Sequence, residues 1–465
     1  MKPLQRLLLL TLAVLSPWAS PTWAAEPVPR TLLISLDAIP YWVVADLTGP
    51  ELGEEALFKG FKGPVSIIST FPSSTSVAMV GLLGPLGLEK SPGYEARFFD
   101  WERLKVRGGG VISYNKITFP WRDFFDWTRK GPVGSGVEAV KPVKSGIKRL
   151  RNAVDEFASS EMDVSLIYIA ATDTAVHVVG PEAVKELFRQ LDTILEDARA
   201  RRPDRPFETI IFSDHGVAGG DPLENVTKAV KVTLKEANFR VAKRLKKPRD
   251  VVLTPFGLVS NFEVYSHEED KAEIAAAIVS IEGVDLCVYK APNGWQVAGR
   301  EGTGLVEQQS SAAGVQWRYR STGTDPLGYA ELMEELSSRS PELEGWVDDE
   351  DLFAATQESY FPDALHRLAG AFDLVSNPAS VLCSLGTEYM YGSRQTELLA
   401  KLGKGRLRWT HGALNLASTL GFLISDAQAW DPPAACRYDT CLVPFHEVLS
   451  RHRNVTEPGD ATDRP

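Results

Sequence analysis

Five short apolar runs punctuate the first 220 residues of the chain: TLLISL (31–36), PVSIIST (64–70), GGVISY (109–114), DVSLIYIA (163–170) and ETIIFS (208–213). Continuous runs of this length, without alternation of polar and apolar positions, are expected of strands buried on both faces. The segments between them carry a different period. In SGIKRLRNAVDEFASS the apolar residues Ile147, Leu150, Val154 and Phe157 recur at helical spacing, and PEAVKELFRQLDTILEDARA repeats the pattern behind a proline at its first turn. Strands alternating with helices predict an α/β fold with a mainly parallel central sheet flanked by helices. Beyond residue 220 the rhythm loosens. VVLTPFGLVSNFEVYS, DLCVYKA and GWQVAG read as strands, DKAEIAAAIVSI as a helix, and 310–395 is richer in Gly, Pro, Ser and acidic residues. The pattern divides the chain into an α/β core at 26–220, a remainder of the core with an inserted α+β cap or lid at 221–400, and a C-terminal return at 401–450. Residues 451–465 read as a flexible tail.

The N-terminus adds a processing signal. Lys2 and Arg6 precede the apolar run LLLLTLAVL, and small residues follow in PTWAAEP, as in a secretory signal peptide spanning about 1–25. No later stretch approaches the ~20 apolar residues of a membrane span. A periplasmic or secreted protein without a membrane anchor is therefore expected. Four cysteines suit that compartment: Cys436 and Cys441 bracket RYDT and can close a small loop, leaving Cys287 and Cys383 to pair or stay free. A net charge of −11 argues against binding a nucleic-acid polymer, and the one strongly basic stretch, AKRLKKPR (242–249), reads as a solvated face or linker.

Open parallel sheets bind ligands at the carboxyl ends of their strands, so the residues following each run are informative. Asp37 follows the first. Ser74 and Thr75 open a helical stretch after the second, Asp173 and His177 follow the fourth, and Asp214 and His215 follow the fifth. Imidazole and carboxylate together favour zinc, with manganese or iron as alternatives, and two such ions can clamp the oxygens of an in-line displacement at phosphorus. A hydroxyl at a helix N-terminus faces a dipole that favours an anionic phosphate, which makes Thr75 the expected nucleophile and ligand, with Ser74 its neighbouring alternative. Asp37, Thr75, Asp214 and His215 can serve one ion. Asp173 and His177 leave the other a ligand short. Of the remaining histidines, His411 in RWTHGALNLASTLGFLIS is preferred over His446 and His452.

In this order, LLISLDA, FPSSTSVAMVGLLG, DTAVHVVGP, FSDHG and THG resemble the alkaline phosphatase superfamily, in particular its type I phosphodiesterase and nucleotide pyrophosphatase branch. The resemblance covers about 30–220 and 405–425. It implies a two-zinc phosphoric ester hydrolase acting on a small-molecule substrate through a phosphothreonine intermediate. That branch follows its threonine with Phe-Pro-Asn. Thr70-Phe71-Pro72 copies the start of that motif, but Ser73 follows and Thr70 lies too far before the helix, so Thr75 is retained. The family's oxyanion-stabilising Asn or Lys is not fixed by the motifs, and Asn115 and Lys116 are assigned that role on position alone. The sulfatase signature of Cys or Ser followed by Pro and Arg is missing at 74–80. Phosphomonoester hydrolysis, phosphonate hydrolysis and a binding protein without chemistry are the alternatives on the same site.

Overall fold

The computed structural model describes residues 29–109, 119–127, 141–311, 314–394, 397 and 407–452. The expected signal segment, all of GGVISY but its first glycine, Asn115 and Lys116, and most of the tail lie outside the described residues. Among the described residues six strands form the central sheet in the order Ala435–Arg437, Lys62–Ile68, Leu420–Ser425, Phe207–Phe212, Arg30–Leu36, Val164–Ile169. The last three run parallel, with Ile34 opposite both Ile167 and Ile211. Lys62–Ile68 and Ala435–Arg437 are parallel to each other, and Leu420–Ser425 runs antiparallel to the neighbour on each side. The sheet is thus mainly parallel, with one reversed strand that comes from the C-terminal part of the chain.

Alternate residues of each strand pack on opposite faces, as the strand period of two requires. Leu32, Ile34 and Leu36 join Leu150, Val154 and Phe157 of the Pro142–Ser159 helix, and Leu187, Leu191 and Ile194 of the Lys185–Arg201 helix. Leu33 faces the other way, towards Val65, Ile67, Met79 and Leu82, the last two from the Thr75–Leu83 helix. Both faces are therefore dry. Full burial of each such side chain contributes about 1.5–3 kcal/mol.

The middle of the chain builds more than a lid. Among the described residues a second sheet has nine strands, with the hairpin Gly302–Ser311/Gly314–Gly323 near one edge and Val381–Leu385 inserted between Asn261–Tyr265 and Val284–Ala291. The Gly- and acid-rich composition of 310–395 reads as irregular, yet Trp317, Tyr319, Leu352, Leu365 and Leu368 are buried in one continuous core. Cys287 and Cys383 sit opposite each other on adjacent strands and form a disulfide, and Cys436 pairs with Cys441. Among the described residues no helix is long and apolar enough to cross a membrane.

Within this sheet Glu263 is 3% exposed and accepts a hydrogen bond from the Thr254 hydroxyl. Burial pushes its carboxyl from an ordinary 4.5 up to about 7. A carboxyl raised on folding stabilises below its unfolded value and loses that contribution as pH rises through the folded one. The loss amounts to something on the order of 3 kcal/mol. Glu263→Gln should therefore match the wild type in melting temperature near pH 4.5 and exceed it by several degrees above pH 7. A melting-temperature difference that is flat with pH would show that this carboxyl is not buried uncharged.

Candidate metal centre

The strand ends deliver their polar residues to one rim of the sheet. Asp37 follows the Arg30–Leu36 strand, where Ala38 adopts a left-handed φ of 60° that turns the chain sharply. That turn points the Ala38 and Ile39 amides at Asp214 Oδ1 (3.2 Å) and Ser213 Oγ (2.8 Å), tying two strand ends together. Asp173 and His177 lie four residues apart on the Ala171–Val179 helix, and therefore on one face of it. Thr75 is the first residue of its helix and Ser74 the cap before it. His411 arrives from the C-terminal return, ahead of the reversed strand. Gly216 and Gly412 permit the crowding beside these ligands. A Cβ on Gly216 would lie 2.6 Å from the Ala417 carbonyl oxygen, and one on Gly412, where φ is 110°, 2.2 Å from Asn261 Oδ1.

Two groups of side chains result: Asp37, Asp214 and His215, all buried, and Asp173, His177 and His411. Thr75 donates its hydroxyl proton to Asp37 Oδ1 at 3.1 Å, and its Oγ1 lies 3.4 Å from His215 Nε2. The two groups adjoin, with the His215 and His411 rings stacked at 4.2 Å between centroids. Ser74 instead directs its hydroxyl to the Tyr94 carbonyl, and Thr70 turns back on the Pro72 carbonyl. Neither touches the cluster. The other histidines are also elsewhere: His366 pairs with Asp439, His452 with Asp126, and His267 meets the Lys247 carbonyl, while His446 opens a short helix near the C-terminal disulfide.

The donor set fits divalent ions on three counts. First, each imidazole directs Nδ1 at a backbone carbonyl: His177 at Trp409 (2.7 Å), His215 at Gly216 (3.0 Å) and His411 at Ser73 (3.2 Å). A carbonyl only accepts, so Nδ1 carries the proton in the neutral ring and Nε2 presents a lone pair. Second, Asp173 Oδ1 lies 3.0 Å from His177 Nε2 and 3.4 Å from His411 Nε2 without the alignment of a hydrogen bond to either. Asp214 Oδ2 is likewise buried and unbonded, 3.4 Å from His215 Nε2. These atoms converge on shared points rather than on one another.

Third, the charges are unbalanced. Burial, with Asp214 and Asp173 nearby, holds the Asp37 carboxyl well above the usual range, and burial pushes Asp214 up to about 7. Burial and the neighbouring His411 keep His215 well below its ordinary value. Around Asp173 burial works in the same upward direction but is outweighed by His177 and His411, which hold that carboxyl low. A cation beside Asp37 and Asp214 relieves the cost of burying those carboxylates ionised.

Sequence reasoning missed the supports of this cluster. Tyr168, penultimate in its buried strand, donates its hydroxyl to Asp37 Oδ2. The only trace in the sequence is a hydroxylated aromatic in the run LIYIA. Trp409, whose carbonyl holds His177, left no trace at all, because backbone acceptors are independent of residue type.

Fold and cluster together define a mainly parallel α/β protein whose strand ends gather two groups of metal-capable side chains around one threonine. No family model matches the chain, and no curated protein does. Among solved structures, it is similar to human ectonucleotide pyrophosphatase/phosphodiesterase 5, at 13% identity and a TM-score of 0.48, covering 92% of this chain and 96% of that one. The murine form of the same protein gives 12%, 0.47, 92% and 96%. An inactive variant of the murine protein in complex with AMP gives 12%, 0.46, 93% and 96%.

His411→Ala should lower metal content after purification by about one ion per chain, whereas His446→Ala should leave it unchanged. Elemental analysis of both variants beside the wild type decides the matter. An exchange of the two outcomes would assign the second group to the wrong histidine.

Proposed function

We propose that the protein is an exported two-metal phosphoric ester hydrolase, acting on diesters or pyrophosphates in preference to monoesters through a phosphothreonine intermediate at Thr75. The observation that carries this reading is the Thr75 hydroxyl, bonded to Asp37 at a helix N-terminus, beside His215. The order of motifs along the chain, with its likeness to the phosphodiesterase branch of the alkaline phosphatase superfamily, supports it independently. Two disulfides and a signal-like N-terminus support export.

In this reading Asp37, Thr75, Asp214 and His215 hold one ion and Asp173, His177 and His411 the other, zinc being the metal that mixed imidazole and carboxylate ligands favour. With ions bound, the two groups stabilise charge on the phosphoryl and leaving oxygens and lower the pKa of the threonine hydroxyl. Tyr168 holds Asp37 so that its other oxygen faces Thr75. Thr75 Oγ1 attacks phosphorus and passes its proton to Asp37 Oδ1, to which it is bonded, while the ester oxygen departs from the opposite side and takes up a proton from water. Water then attacks the phosphothreonine from that side and releases phosphate monoester or phosphate. The helix N-terminus faces the phosphoryl group throughout and favours its negative charge.

Each displacement inverts phosphorus, so the reaction as a whole retains configuration. Direct attack by water would invert it once. A chiral thiophosphate ester should therefore be hydrolysed with retention. Thr75→Ala should keep its metal and lose most of its rate, and Thr75→Ser should retain a measurable part of it. Inversion with the wild type, or full activity in Thr75→Ala, would remove Thr75 from this role.

A further inference from the structure

The second sheet's region sends one side chain beneath the site. Arg367, on the Ala364–Gly370 helix, is 0% exposed, among the largest fully buried side chains of the protein. Its guanidinium reaches two loops that are more than 300 residues apart in the chain. Nη2 donates to the Thr70 carbonyl (3.2 Å) and Ser73 Oγ (3.2 Å), in the loop that ends at Thr75. The same nitrogen donates to Thr419 Oγ1 (2.7 Å), at the end of the Leu416–Thr419 helix, and Nη1 donates to the Leu414 carbonyl (2.8 Å), both in the segment that begins at His411. A fifth bond, to the Pro362 carbonyl at 2.9 Å, anchors the guanidinium to its own helix's approach.

None of these acceptors is a carboxylate. The Asp363 carboxylate has both oxygens taken by Arg437, at 2.8 and 3.2 Å. Burial accordingly lowers the Arg367 guanidinium from its ordinary value to about 10. A charge buried against neutral acceptors is costly unless its geometry fixes something else. Here the fixed quantity is a distance. The Ser73 hydroxyl lies 3.0 Å from both the Ala413 and the Thr70 carbonyl oxygens, and the Ser73 carbonyl receives His411 Nδ1 (3.2 Å). The loop that carries the nucleophile thus orients the imidazole of the other metal group. The planar fork of Arg367 grips both sides of that contact at once, which a point-charge ammonium cannot do.

We propose that Arg367 is a positioning residue that sets the separation of the Thr75 loop from the His411 loop, and through Ser73 the aim of His411 Nε2. The inference rests on the two-metal reading. It predicts a selective defect: the ion held by Asp173, His177 and His411 weakens while the other keeps its affinity.

Zinc titration of the metal-free full chain against a competing chelator tests this directly. In Arg367→Lys the dissociation constant of the ion that His411→Ala loses should rise about 10–100-fold, with the other ion close to wild type. Turnover of a nitrophenyl phosphate ester should fall in kcat more than it changes in KM. Thr419→Val, which removes a single acceptor, should shift the same constant in the same direction by less and serves if the lysine variant does not fold. Added guanidinium should restore part of the lost affinity in Arg367→Ala. Two ions bound as tightly as in the wild type by folded Arg367→Lys or Thr419→Val would overturn the proposal, as would equal weakening of both ions. A wild type that binds two ions and turns over no ester would refute the hydrolase reading, and the titration would still decide the role of Arg367.

Discussion

Three imidazoles each direct Nδ1 at a backbone carbonyl, and the rest of the site follows from that constraint. A histidine fixed at one nitrogen has no tautomeric freedom and little rotational freedom, so its second nitrogen points where the backbone dictates. The backbone in question belongs to three separate elements: the turn after Phe212, the Ser73 loop and the Trp409 segment. Correct ligand geometry therefore requires the correct fold of all three. The carboxylates add the opposing demand. Asp37 and Asp214 are buried beside each other and are costly to ionise unless positive charge is supplied. Backbone carbonyls set the directions, and the uncompensated carboxylates set the charge that must fill the space between.

Much of this was legible in the residues. The continuous apolar runs of the first 220 residues appear as central strands wherever the structure describes them, since burial on both faces leaves no room for polar alternation. Strand ends are equally readable in a parallel sheet, because they share one rim, which is why Asp37, Asp173, Asp214 and His215 assemble as neighbours. His411 is a different case. It precedes an antiparallel strand, so its place on that rim comes from the start of a strand rather than its end. It was found by counting missing ligands.

In the middle of the chain the residue pattern carries less of the fold. Residues 310–395 have the composition of a loose insertion, yet they supply Val381–Leu385, an inner strand of the nine-stranded sheet, and the helix that bears Arg367. Long hairpins such as Gly302–Ser311/Gly314–Gly323 tolerate polar residues on their open face, which blurs the apolar signal. Arg367 itself is invisible to residue patterns, for four of its five acceptors lie far away in the sequence, two of them backbone carbonyls.

The reversed strand Leu420–Ser425 has a consequence for the order in which the protein is made. It lies between Lys62–Ile68 and Phe207–Phe212, pairing with both. Until the ribosome has released residue 425, those two strands have no partner on their inner sides. The sheet exists as separate pieces with unpaired edges, the situation in which strands recruit foreign ones. The same late segment carries His411, so a nascent chain that has completed four of the six described central strands lacks that one side chain of the cluster. Closure of the sheet and arrival of the last side chain of the candidate cluster depend on one and the same segment.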